Sequence, residues 1–192
     1  MPDLARRSLV KLPLLAWPTL ARADGFPLAA LMARLAAVPE RRASFREERR
    51  FGALTETLLS QGHLYYRRPN YMEKVTDWPV PERLVVDGDR LVLTEGNDPP
   101  HVVPLGAQPE LRTLIDGMRG PLTGDLAALE RGFQIQGTGD LASWTLVLTP
   151  RNPAAARFVR SIVLTGQNDE IRSIRLTQAN GDEQLMQIGP GG

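Results

Sequence analysis

Apolar residues near the start of the chain repeat with the spacing of a helix. They are Leu28, Leu31, Met32, Leu35 and Val38. This spacing places them along one side of an amphipathic α-helix. Pro39 follows and predicts the end of that helix, because the residue before a proline avoids the helical conformation.

After Pro39, apolar and polar residues alternate as they do in β-strands. In "SFREERRF", Phe45 and Phe51 fall on one face and every second charged residue falls on the other. The stretches "ETLLSQGHLYY" and "YMEKVTDW" predict two more strands, and Gly62 in the first of them predicts a bulge. In "ERLVVDGDRLVL", Asp87-Gly88 predicts a hairpin with a two-residue type I′ turn. A further strand includes Val102 and Val103.

Helical spacing returns between residues 110 and 131. The apolar residues of this insert are Leu111, Leu114, Ile115, Met118, Leu126 and Leu129. Gly120-Pro121 predicts a break after the first four, since proline removes a helical hydrogen bond. Thr123 or Asp125 is the candidate N-cap of a second short helix.

Strand patterns fill the rest of the chain. They are "FQIQG", "SWTLVLTP", "FVRSIVLT", "IRSIRLTQ" and "EQLMQI". Turns at Asn168-Asp169 and Asn180-Gly181 join the last three into a meander. The chain therefore predicts about nine or ten strands, and a sheet of that size curls. We expect a mainly β domain: a strongly curved antiparallel sheet or half-open barrel with an N-terminal helix and helical segments over its open side.

The first 23 residues are typical of an export signal. Arg6, Arg7 and Lys11 precede a short apolar run, and Ala21-Arg22-Ala23 matches a cleavage site. "ARRSLVK" also resembles a twin-arginine signal, so both the general secretory (Sec) route and the twin-arginine route of export stay open. Removing the four basic residues and one acidic residue of this segment from the 23 and 22 of the whole chain leaves 19 and 21, a formal charge of −2. We expect residues 24–192 to be one exported domain, and its charge gives no support for nucleic-acid binding.

Signatures of catalysis and of metal binding are missing from the sequence. The chain has no cysteine, and its two histidines, His63 and His101, lack the spacing of a metal pair. No nucleophile elbow and no phosphate-binding glycine loop is present. Glu47 and Glu48 point to opposite faces of a strand and cannot share one proton. We expect a protein without catalytic residues, metal or cofactor.

Several stretches, taken in order, resemble the periplasmic outer-membrane lipoprotein carriers (LolA). They are "RASFREER", "GHLYYRRPN", "PERLVVDGDRLVL", "WTLVLTPRN" and "IRSIRLTQANGDEQLMQI". The resemblance covers nearly all of the chain after the signal. It implies a half-open barrel whose apolar concave face shelters acyl chains under a helical lid. It also implies a monomer in the periplasm that takes lipidated cargo from an inner-membrane extraction complex and passes it to an outer-membrane receptor.

The resemblance also assigns candidate roles to residues. Arg68, before Pro69-Asn70, matches the arginine that bonds to lid backbone and holds the empty cavity shut. The helical insert between residues 110 and 131 is the candidate lid. Alternation on a concave sheet makes eight residues candidates for the cavity lining: Phe45, Leu64, Tyr66, Met72, Leu84, Leu91, Trp144 and Leu146.

Lys74 departs from the family, which often has a tryptophan at this position. An isolated ammonium group is costly in a dry pocket, so Lys74 either faces solvent or has a partner such as Glu73, Glu56 or an anionic headgroup. The departure leaves the cargo open: a lipoprotein, or a glycolipid or other acylated molecule. A lipid-modifying enzyme and a structural subunit of the cell envelope remain as less favoured alternatives.

Overall fold

A single antiparallel sheet dominates the protein. The computed structural model describes residues 25–52 and 56–190, and eleven strands of this part of the chain join into one sheet. The strands are β1 Glu40–Arg50, β2 Leu58–Arg67, β3 Tyr71–Trp78, β4 Glu82–Asp87, β5 Arg90–Glu95, β6 His101–Pro104, β7 Phe133–Gly139, β8 Trp144–Pro150, β9 Val159–Gln167, β10 Glu170–Gln178 and β11 Glu183–Ile188. The predicted signal, residues 1–23, lies outside the described residues.

The order of the strands leaves the sheet open. It runs β6-β5-β4-β3-β2-β1-β11-β10-β9-β8-β7, so the first and last strands meet in the middle. Phe45 of β1 pairs with Ile188 of β11 at this junction. The edge strands β6 and β7 do not pair with each other, which confirms the predicted half-open barrel.

Helices cover the concave face. They are α1 Leu28–Ala36, a 3-10 turn at Leu105–Ala107, α2 Pro109–Thr123, α3 Leu126–Gly132 and the short α4 Pro153–Ala156. The 3-10 turn, α2 and α3 connect the two edge strands, so this connection crosses the open side of the sheet. Helices there bury the apolar face that an open sheet would otherwise expose.

Two separate apolar clusters hold the helices on the sheet. The larger one packs α1 and α3 against β7, β8 and β9, with Leu35, Leu146 and Leu164 fully buried. The smaller one packs α2 and the 3-10 turn against β4 and β5, around Val86 and Ile115. Strands β2, β1 and β11, in the middle of the sheet, contribute residues to neither cluster.

The predicted break at Gly120-Pro121 is wrong, because α2 continues through both residues to Thr123. A proline inside a helix costs about 3 kcal/mol. Tertiary packing offsets that cost: Gly120 and Pro121 are buried, and Gly120 lies against Leu129 of α3. The helix ends instead at Gly124, which has a left-handed φ of 73°. Asp125 then caps α3 by accepting a hydrogen bond of 2.8 Å from the amide of Ala128.

The predicted hairpin and the predicted bulge are both present, with differences in detail. The β4–β5 hairpin is present, but Asp87 pairs with Arg90, so Gly88-Asp89 forms the turn. Gly88 has a φ of 58° whereas Asp89 has no positive φ, a pattern that does not fit the predicted type I′ turn. The bulge at Gly62 is confirmed, with its extra residue, Asp77, in the neighbouring strand β3.

Candidate functional site

A cavity of about 580 Å³ lies between the two apolar clusters, over the central strands. Its volume falls within the range of roughly 300–1,000 Å³ that is typical of small-molecule sites. Much of its wall is apolar, and includes Leu64, Met72, Leu84, Ile174, Met186 and Ile188. The helices pack on either side of these strands and leave a hollow between them.

Four of the eight predicted lining residues border the cavity. Leu64, Tyr66, Met72 and Leu84 do so. Leu91, Trp144 and Leu146 belong to the two apolar clusters instead, because helices cover the sheet at their positions. Phe45 is also buried, and the Lys74 ammonium lies 4.9 Å from the centroid of its ring.

The predicted lid residues also divide between the cavity wall and the two apolar clusters. Leu114 and Met118 of α2 border the cavity. Leu111 and Ile115 pack in the smaller cluster, and Leu126 and Leu129 pack in the larger one. The insert is therefore both a wall of the cavity and a part of the two cores.

Hydrogen bonds tie the helices to the central strands at one end of the cavity. Arg68 Nη1 donates to the carbonyl oxygen of Ala36, the last residue of α1. Arg41 Nη2 donates to the carbonyl of Leu35 at 3.2 Å. The final carbonyls of a helix lack partners within the helix, and the two guanidinium groups supply them. The helix that Arg68 contacts is α1 rather than the insert.

Tyr66 makes the matching contact to α2. Its hydroxyl group donates to the carbonyl of Leu122 at 3.1 Å, near the C-terminal end of that helix. Burial raises the pKa of Tyr66, although the nearby arginines Arg68 and Arg41 oppose this effect. The hydroxyl group thus stays protonated and able to donate at neutral pH.

Lys74 faces the concave side, and its partner is Glu47 of β1 rather than Glu73 or Glu56. Lys74 Nζ lies 2.7 Å from Glu47 Oε2. The same oxygen lies 3.2 Å from Arg49 Nη2 and accepts a hydrogen bond of 3.0 Å from Ser60. Gln184 of β11 donates to the other oxygen. The Glu47 side chain is 0% exposed, so this carboxylate is buried and fully hydrogen-bonded.

The environment of Glu47 keeps it ionised. Burial by itself would raise the pKa of this carboxyl group, since desolvation penalises the charged form. The charge of Lys74, its hydrogen bond, and the charge of Arg49 outweigh burial, and the pKa of Glu47 is lowered. Glu48, the next residue, is only partly buried on the opposite face, as the alternation predicts.

The alternation of apolar and polar residues did not identify the lining residues that β10 and β11 contribute to the cavity. Ile174, Met186 and Ile188 line it together with the β2 and β3 residues. Their alternation was visible in the closing meander. However, only the pairing of β11 with β1 shows that these strands lie in the middle of the sheet and not at an edge.

Within residues 25–52 and 56–190, no three His, Cys, Asp or Glu side chains come together in a way that could hold a metal ion. None of the helices described is long and apolar enough to cross a membrane. His63 is exposed, and its Nδ1 lies 2.8 Å from an Asp77 oxygen.

An open antiparallel sheet with an apolar cavity under packed helices is a half-open barrel, an architecture that fits the binding of an apolar ligand. The chain belongs to the family described as "Outer membrane lipoprotein carrier protein LolA-like", whose model matches residues 21–191. This match confirms the resemblance noted in the sequence. The family description is that of a carrier.

Solved structures with a similar fold have low sequence identity to this chain. A LolA superfamily protein from Nitrosomonas europaea is 9% identical, over 83% of this chain and 90% of that one, with a TM-score of 0.45. A DUF1329 family protein from Desulfovibrio piger is 9% identical, over 84% and 88%, with a TM-score of 0.48. MucB is 15% identical, over 85% and 57%, with a TM-score of 0.46. No curated protein matches the chain.

Proposed function

We propose that this protein is a periplasmic carrier that shelters the acyl chains of lipid-modified proteins in its cavity and passes them from the inner to the outer membrane. The family membership and the apolar cavity of about 580 Å³ over the central strands support this proposal. Its partners would be an extraction complex at the inner membrane and a receptor at the outer membrane. Export would depend on the signal predicted at residues 1–23, and the carrier would act as a monomer.

The physical requirement of such a carrier is a dry but accessible cavity. An acyl chain costs about 0.8 kcal/mol per methylene group to expose to water, or on the order of 12 kcal/mol for a sixteen-carbon chain. Apolar side chains such as Leu64, Leu84 and Met186 supply the shelter. Reversibility requires a wall that can move, and α1 and α2 are candidates because a few side-chain hydrogen bonds, from Arg68, Arg41 and Tyr66, fasten their C-terminal ends.

A second candidate function is a carrier of the same kind for a lipid that is not attached to a protein. The buried Lys74–Glu47 pair beside the cavity favours it, because a site for acyl chains alone gains nothing from a charged side chain. A glycolipid or another acylated molecule with a polar group would suit such a wall. Neither candidate includes a catalytic step.

Two binding experiments test the proposal. Native mass spectrometry of the protein isolated from its own periplasm, with organic extraction, should detect a bound lipid or lipidated protein. The variant Leu64→Trp should fill the cavity and abolish uptake of a fluorescent fatty acid. Leu59→Trp is the matched control, since Leu59 lies on the same strand and is 51% exposed. Equal uptake by the two variants would show that the cavity is not the binding site.

A further inference from the structure

One buried carboxylate serves two cations at one end of the cavity. Glu47 Oε2 lies 2.7 Å from Lys74 Nζ and 3.2 Å from Arg49 Nη2. Ser60 and Gln184, the other two partners of Glu47, are neutral. This group of three charged side chains therefore carries one positive charge that the group itself does not neutralise.

The cations face the cavity and the carboxylate does not. Lys74 and Arg49 both line its wall, whereas Glu47 lies behind them and has no place in the lining. The Nε atom of Arg49 is buried and has no hydrogen-bond partner in the described part of the chain. The rest of the Arg49 side chain is accessible: it is 40% exposed, so its other N–H groups remain available to a ligand in the cavity.

The other end of the cavity has a different charge balance. Arg41 also has a buried Nε without a partner, but its Nη2 donates to Leu35 and lies 3.8 Å from an Asp169 oxygen. Arg172 at that end pairs with Glu170. Carboxylates therefore match these two cations one for one. At the end that contains Arg49 and Lys74, which we call the Arg49 end, two cations share one ion-paired carboxylate, Glu47.

We propose that the Arg49 end binds an anionic group of the cargo, a phosphate or a carboxylate, while the acyl chain lies along the apolar wall. This inference rests on the proposed carrier function and specifies the chemical class of the cargo. The oxygens of a phosphate or carboxylate can accept from the exposed N–H groups of Arg49 and from Lys74, and such charge-assisted hydrogen bonds are the stronger kind. Glu82 also lines this half of the cavity and lowers its net charge, but Arg49 and Lys74 form their ion pairs with Glu47 and not with Glu82, so Glu82 does not occupy the donors of Arg49.

Amphiphiles that differ only in their polar group test the inference. A fatty acid, the fatty alcohol of equal chain length and a lysophosphatidic acid with that chain should compete with a fluorescent fatty-acid probe, at a pH where both acids are ionised. The two anions should bind at least about tenfold more tightly than the alcohol, a difference of ~1.4 kcal/mol. Inorganic phosphate alone should displace little probe, since it lacks the chain. Phosphate that competes as well as the lysophosphatidic acid would contradict a headgroup site.

Variants should show which side chains are responsible for the preference for anionic amphiphiles over the alcohol. Arg49→Gln and Lys74→Met should each weaken binding of the anions more than binding of the alcohol and so reduce the preference, while Glu82→Gln should increase it. Arg46→Gln is the control, because Arg46 is exposed on the opposite face of β1. If Lys74→Met fails to fold, the double variant Glu47→Gln/Lys74→Met removes both buried charges and should keep a preference that depends on Arg49. Equal binding of acid and alcohol by the natural protein would overturn this inference and leave the carrier function intact. Failure of every amphiphile to bind would overturn the carrier function as well.

Discussion

Arg68 donates a hydrogen bond to the carbonyl oxygen of Ala36, where α1 ends and the chain turns into β1. Arg68 directly follows β2 and Ala36 is the last residue of α1, so the bond joins the end of a central strand to a covering helix. Arg67, the neighbouring residue, points to the other face, where its guanidinium group lies 5.3 Å from the centroid of the Tyr71 ring. Arg68 therefore contacts a covering helix, whereas its neighbour Arg67 contacts an aromatic ring on the other face of the sheet.

Replacing Arg68 tests whether this bond restrains α1. Arg68→Leu should cost about 1 kcal/mol of local stability, because the bond is charge-assisted but exposed to solvent. Amide hydrogen exchange should become faster in the last turn of α1, and a fluorescent fatty acid should enter the cavity faster. Arg67→Leu should change neither rate. Equal exchange in both variants would remove Arg68 from any role in holding the helix.

Core and cavity positions should respond differently to truncation. Leu146→Ala should destabilise the protein by roughly 2–5 kcal/mol, because Leu146 is fully buried in the larger cluster. Leu64→Ala should cost less stability, since its side chain already borders a hollow, and should weaken binding of a fatty acid. Urea unfolding and probe binding, measured on both variants, distinguish the two effects. The assignment fails if Leu64→Ala is the more destabilising variant.

Gly62 is required by close backbone packing. A Cβ atom at this position would lie 1.9 Å from the carbonyl oxygen of Val75 in β3 and 3.0 Å from the Phe45 ring. Gly62→Ala should therefore destabilise the protein by about 3 kcal/mol, as overpacking does. Gly132→Ala provides the matched control, because no atom lies within 4 Å of a Cβ there. Thermal unfolding of the two variants should differ by several degrees.

Acid should weaken the protein partly through Glu47. The pKa of Glu47 is lowered in the folded state: burial opposes ionisation, but Lys74 and Arg49 outweigh it. A carboxyl group with a lowered pKa stabilises the folded state above its unfolded pKa of about 4.3, and this contribution is lost as the pH falls through the folded value. Urea unfolding at a series of pH values should show stability falling below about pH 4.3.

The variant Glu47→Gln separates this contribution from that of other carboxylates. At neutral pH it should be less stable by roughly 3–5 kcal/mol, because it leaves Lys74 without its partner. Below the usual glutamate pKa its stability should depend less on pH than that of the natural protein. Asp140, whose pKa is lowered by hydrogen bonds from the amides of Ser143 and Ala142, should supply part of the dependence that remains. An unchanged pH dependence would contradict the role of Glu47.

Much of the architecture could be predicted because its signals are local. Every stretch with a strand pattern overlaps a strand, Asp125 caps α3, and the turns of the closing meander fall at Asn168-Asp169 and Asn180-Gly181. The break at Gly120-Pro121 could not be excluded from local preference, because packing against Leu129 decides it. In the candidate site, alternation predicted that Leu64 and Trp144 both lie on the concave face. It could not show that helices cover Trp144 while Leu64 borders the cavity.

The sequence by itself determined the strands, the covering helices and the family, because periodicity, turn residues and the order of motifs lie within short stretches of chain. Only the tertiary structure decided where the cavity lies and which charges surround it. Glu47 and Lys74 are 27 residues apart in the chain and meet because β1, β2 and β3 pair in a particular register. A hollow exists only between elements that pack, so its position depends on which parts of the sheet the helices leave uncovered.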